Sequence, residues 1–123
     1  MWTIFIGGQE IAEFEENFAS LVGVNHAVGC NSVTEALILA LRALDIGKGD
    51  EVITSSFSFF ATAEAISAVG ANPVLVDINP NDYLINIDLI EGEINSNNKA
   101  IMPVHLFGNA VNMTSIKAQS KKI

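Results

Sequence analysis

Four short stretches of the chain bring together side chains that could do chemistry. Asn31-Ser32-Val33-Thr34-Glu35 stands between an apolar segment and the start of a helix. Free backbone N–H groups and the helix dipole converge at such a point and favour an anion. The same residues also spell Ser32-x-x-Glu35, a capping box that satisfies those N–H groups internally, and locally the cap is the simpler reading. The stretch is not a P-loop, because the Gly-Lys-Ser/Thr ending is absent, and no G-x-G-x-x-G occurs anywhere in the chain. Ser55-Ser56-Phe57-Ser58-Phe59-Phe60 places three aromatics at a strand-to-helix junction. One of them could stack on a planar ligand, but burial of all three in a core is the plainer account. His105 ends an apolar run, a position open to a general base or to a structural histidine. Asp77 ends another, where one carboxylate either caps the next turn or faces a ligand. Lys48 and Lys99 lie in polar turns that offer neither the desolvation nor the cationic neighbour a Schiff-base lysine needs. His26 has no obvious partner.

The hydrophobic pattern supplies the elements that must hold these stretches in place. Ile11, Phe14, Phe18, Leu21 and Val22 follow helical spacing over Gln9 to Val22, with Glu10, Glu13, Glu15 and Glu16 favouring the positive end of the dipole and Gly23 at the C-terminal cap. Ala27-Val28-Gly29-Cys30 reads as a buried strand, and a second helix runs from Asn31-Ser32 through Leu44. Strands are expected at Glu51–Thr54, Pro73–Ile78 and Lys99–His105. Helices are expected from Phe59 to Val69, from Leu89 to Ile94 with Asp88 as N-cap, and from Met113 to Lys122. Helices alternating with short apolar strands argue βαβ units around a parallel sheet buried on both faces. Ligands of such sheets bind beyond the carboxyl ends of the strands. That directs attention to the loops Asn31–Thr34, Ser55–Phe59, Asp77–Asn81 and His105–Asn109.

Composition narrows the function. The 123 residues suit one domain. Half are hydrophobic and 16% charged, which excludes intrinsic disorder. A mean hydropathy of +0.38 is high for a small domain and suggests apolar surface meant for more protein. A net charge of −8 with no basic cluster beyond Lys121-Lys122 argues against a nucleic-acid partner. The one cysteine, Cys30, excludes an internal disulfide and a multi-cysteine metal site, and fits the cytoplasm. The apolar run at the N-terminus, Trp2–Ile6, is too short for a signal peptide and carries no positive charge. No apolar stretch approaches the ~20 residues of a membrane span.

Taken in order, the stretches resemble one family. Glu13-Phe14-Glu15-Glu16-Asn17-Phe18-Ala19, Gly29-Cys30-Asn31-Ser32-Val33-Thr34-Glu35-Ala36-Leu37, Gly49-Asp50-Glu51-Val52-Ile53, Phe57-Ser58-Phe59-Phe60-Ala61-Thr62-Ala63, Val76-Asp77-Ile78 and Pro103-Val104-His105-Leu106-Phe107-Gly108 are similar to the motifs of the DegT/StrS-type (DegT/DnrJ/EryC/StrS) aminotransferases. The resemblance is collinear from about Phe5 to Ile123. It implies a fold-type I large domain, an α/β three-layer sandwich around a parallel sheet. It also implies pyridoxal 5'-phosphate as cofactor, and transfer of an amino group from glutamate or glutamine to a nucleotide-linked keto sugar, as in polysaccharide biosynthesis. A homodimer is implied as well. The family turn that offers its N–H groups to the cofactor phosphate falls on Ser32, Val33 and Thr34, and the aromatic that stacks on the pyridine ring falls on Phe59. No catalytic residue or metal ligand is carried over.

The departures set further expectations. Val33 stands where the family has glycine, and a β-branched side chain there could crowd a phosphate or resist the turn's backbone angles. The family's aspartate for the pyridine nitrogen and its Schiff-base lysine lie beyond the position of Ile123, and a helix usually precedes the position of Trp2. Residues 1–123 are therefore expected to be a partial large domain, truncated at both ends, with an incomplete sheet in which Ala27–Cys30 would lack neighbours. The isolated chain is expected not to transaminate. The alternatives are a non-catalytic remnant or module pairing with a full-length relative, and a small flavodoxin-like binder.

Overall fold

A computed structural model describes residues 8–123, so the apolar run Trp2–Ile6 lies outside the described residues. The chain divides into two units, one ending at Ser32 and the other running Val33–Ile123.

In the first unit, helix α1 covers Gln9–Val22. Gly23 ends it in the left-handed region at φ 71°, where the Val24 N–H reaches back to the Ala19 carbonyl at 3.0 Å. Only a residue without a Cβ takes that cap at no steric cost. The apolar stripe expected to be buried is largely exposed: Phe14 and Phe18 stack on each other at 5.7 Å, and Ala19 is the buried residue of the helix. The strand expected at Ala27–Cys30 does not form. A strand needs a neighbour for its ladder, and this segment instead sends the Gly29 N–H to the Glu15 carboxylate at 2.6 Å.

In the second unit the elements are α2 (Val33–Ala43), β1 (Glu51–Ser55), α3 (Ala61–Ala68), β2 (Asn72–Val76), α4 (Ile87–Glu93), β3 (Asn98–Met102), a 3-10 turn at Leu106–Gly108, and α5 (Met113–Ser120). The strands form a parallel sheet in the order β2-β1-β3. β1 is central and buried from Val52 to Ser55. Pro73, which cannot donate to a ladder, lies on the edge strand β2.

The pleat sends alternate residues of β1 to opposite faces. Val52 packs with Leu41, Ile46, Ala65, Ile66 and Ala71, under α2 and α3. Ile53 packs with Val76, Ile90, Val111 and Ile116, under α4 and α5. The result is the expected α/β architecture: a parallel sheet between two helical layers. The N-cap of α4 differs from expectation. Asn86 holds it, accepting the Asp88 N–H at 3.1 Å, so the helix starts earlier than Leu89.

Candidate functional site

The two helices over the Val52 face run the same way. Gly70 follows α3 and packs on Lys48, which follows α2: a Cβ at Gly70 would lie 3.5 Å from the Lys48 nitrogen. Both helices end beside the amino end of the sheet, since Lys48 leads into β1 and Gly70 into β2. Their starts, about 12–16 Å away at 1.5 Å per residue, therefore lie toward the carboxyl ends of the strands.

That end of the sheet is also where the connections diverge. The segment after β1 leads to α3 on one face, and the segment after β3 leads to α5 on the other. Neighbouring strands whose exits part in this way leave a crevice at their carboxyl ends, the usual ligand position of open α/β sheets.

Val33 and Thr34 begin α2, and Phe59 lies in the loop after β1 that starts α3. Ser32 precedes Val33 directly and closes the first unit. The first N–H groups of a helix have no acceptor within it, and those of Val33 and Thr34 have no backbone acceptor elsewhere among the described residues. Ser32 and Glu35 are both engaged within the chain. Val33 is absent from the positive-φ residues, so its β-branched side chain sits in ordinary backbone, and that side chain is exposed.

The aromatic trio departs from the expectation of a core. Phe57, Phe59 and Phe60 are all exposed, Phe59 by 79%. The reason is tertiary: β1 ends at Ser55, where Ser55 Oγ accepts the Phe57 N–H at 3.3 Å, and the chain leaves the sheet before any of the three can turn inward. Phe57 rests against Tyr83 at 6.0 Å, a contact with no signal in the sequence. Thr62 shares a hydrogen bond with Ser58 at 3.0 Å, which ties the loop to the first turn of α3.

Asp77 takes the capping role. Its Oδ1 accepts the Ile78 N–H at 2.8 Å and the Ser56 hydroxyl at 3.2 Å. His105 Nδ1 accepts the Val111 N–H at 3.1 Å. Lys48 and Lys99 both lie at the amino end of the sheet, away from the crevice. A polar depression between the starts of α4 and α5 is lined by Asp82, Asn86 and Asn112, whose oxygens already accept the N–H groups of Leu84, Asp88 and Ser115. Among the described residues no group of three or more His, Cys, Asp or Glu could hold a metal, and no helix is long and apolar enough to cross a membrane.

The model of the DegT/DnrJ/EryC1/StrS aminotransferase family matches residues 2–123. The chain belongs to this family. A UDP-N-acetyl-3-dehydro-alpha-D-glucosamine 3-aminotransferase from Acidithiobacillus ferrooxidans is 51% identical over 96% of the chain, which spans 32% of that relative. A dTDP-3-amino-3,6-dideoxy-alpha-D-galactopyranose transaminase from Aneurinibacillus thermoaerophilus is 47% identical over 96% of the chain and is spanned to 32%. Among solved structures, DesV of S. venezuelae in complex with a ketimine intermediate superposes with a TM-score of 0.91 at 40% identity, over 94% of this chain and 31% of that one. The NtdA structure from Bacillus subtilis, with bound cofactor PMP, gives 0.92 at 35% identity, over 94% and 27%. The three-stranded sheet and its helices thus match part of the large-domain fold of pyridoxal-phosphate aminotransferases. The chain spans about a third of the length of these curated relatives.

Proposed function

We propose that this chain is the N-terminal part of the large domain of a pyridoxal-phosphate sugar aminotransferase, and that it carries one wall of the cofactor site. The observation behind this reading is the coincidence of two starts at the carboxyl end of the sheet. There α2 offers the N–H groups of Val33 and Thr34, and the loop before α3 leaves Phe59 exposed. A donor set of that kind fits a phosphate, and an exposed ring fits a flat heterocycle. Ser32, Val33 and Thr34 would hold the phosphate, and Phe59 would cover the ring. Bound there, pyridoxal 5'-phosphate supplies the electron sink for moving an amino group. The donor is glutamate or glutamine, the acceptor a nucleotide-linked keto sugar, and the setting cytoplasmic biosynthesis of a polysaccharide by a homodimer.

The chain's own residues bind and orient but do not move the proton. Lys48 and Lys99 are at the wrong end of the sheet to do so, and Lys117, Lys121 and Lys122 lie in or just after α5, on the face opposite α2 and α3. The isolated chain is therefore inactive. The test is to assay the purified chain, free of other aminotransferases, with cofactor, glutamate and a UDP-linked 3-keto sugar, beside the product of the reading frame extended in genomic DNA. Transfer by the extended product alone supports the proposal. Transfer by the chain itself, or by neither, overturns it.

A further inference from the structure

His105 is left over by that reading, although it stands on the β3 side of the crevice. The residue is exposed, yet its Nδ1 accepts the N–H of Val111, which is only 4% exposed and packs with Ile53, Ile90 and Ile116. A ring nitrogen that accepts carries no proton, so the neutral imidazole in this bond holds its hydrogen on Nε2.

The bond closes a six-residue span whose two ends are anchored in one core: Leu106 packs against the cluster that contains Val111. Inside the span, Phe107 and Gly108 are both left-handed, at φ 55° and 78°, and the Asn109 N–H bonds to the Leu106 carbonyl at 2.9 Å. Left-handed backbone is a genuine outlier for a bulky residue such as phenylalanine, and it persists only where the surroundings over-determine it. The Phe107 ring gains no burial in exchange, being 81% exposed.

We propose that His105 is the positioning residue of the 106–111 loop. Its Nδ1 pins the Val111 amide, and the closed span then holds Phe107 left-handed with its ring displayed at the carboxyl end of the sheet. The Nε2–H, on the far side of the ring, is left as an outward donor. The inference does not depend on the cofactor proposal, and its test involves no cofactor.

The test uses the whole chain labelled with nitrogen-15. Two-bond nitrogen–proton correlations of the His105 ring, recorded with the imidazole neutral, are expected to show a bare Nδ1 and a protonated Nε2. Val111 amide exchange should be slow. His105→Asn should keep that protection, because its Oδ1 can stand in for Nδ1. His105→Gln and His105→Ala should speed Val111 exchange by about three- to tenfold and shift the Phe107 ring signals. A wild-type ring with its proton on Nδ1, or averaging between tautomers, overturns the proposal even if no variant folds. So does unchanged Val111 exchange in the alanine variant, or an asparagine variant no better than alanine.

Discussion

Val33 shows what a single residue contributes to the site. It stands where the resembled family has glycine, but the turn leaves it in ordinary backbone with its side chain outside, so the substitution brings no strain. Phe59 makes the testable claim. Phe59→Ala should weaken binding of pyridoxine 5'-phosphate, which lacks the aldehyde and cannot react with lysines, by about three- to tenfold. Equilibrium dialysis measures this, and equal affinity in wild type and variant would remove the stacking role. Thr54 is the second residue to probe, because its fully buried hydroxyl donates to the Met102 carbonyl at 2.8 Å and ties β1 to β3. Thr54→Val should cost about 1–2 kcal/mol in urea unfolding, with Thr54→Ser close to wild type. An unchanged midpoint in the valine variant would mean the bond contributes nothing.

At the scale of elements, periodicity was a good guide wherever a neighbour existed. The helix over Gln9–Val22 and its Gly23 cap were legible to the residue, because both are local. The α4 start was not: Asn86 and Asp88 are both able caps, and the choice fell on Asn86 because the Asn86 N–H is itself held by the Asp77 carbonyl at 2.9 Å. Asn86→Ala should therefore cost about 0.5–2 kcal/mol and Asp88→Ala less, as read from thermal or urea unfolding. The reverse order would restore Asp88 as the cap. Ile53 tests the layer between β1 and α4. It is fully buried, and Ile53→Ala should cost about 2–5 kcal/mol. A loss under about 1 kcal/mol would mean that this face is poorly packed.

For the whole molecule, the question is what covers its apolar surface. Ile11, Phe14, Phe18, Leu21 and Val22 of α1 are exposed, as are Phe60 and Leu75 in the second unit. Apolar surface on this scale marks contact with more protein, while a net charge of −8 opposes self-association. Sedimentation velocity should accordingly show species larger than the monomer, increasing as salt screens the repulsion. A monomer at every salt and protein concentration would count against both a homodimer and pairing with a full-length relative.

Much of the architecture was local in origin and readable without coordinates. Alternating helices and apolar strands specified a parallel α/β sheet, because hydrophobic period and turn chemistry are properties of neighbouring residues. The order of Gly29–Leu37, Phe57–Ala63 and Pro103–Gly108 identified the family. Tertiary structure decided the rest. It put Phe57, Phe59 and Phe60 outside, since β1 ends before them, whereas the missing ladder at Ala27–Cys30 agrees with the absence of neighbours that the resemblance implied. It also gave His105, which the sequence left open to a base or a structural role, the Val111 N–H to accept, a bond that depends on where the chain returns six residues later.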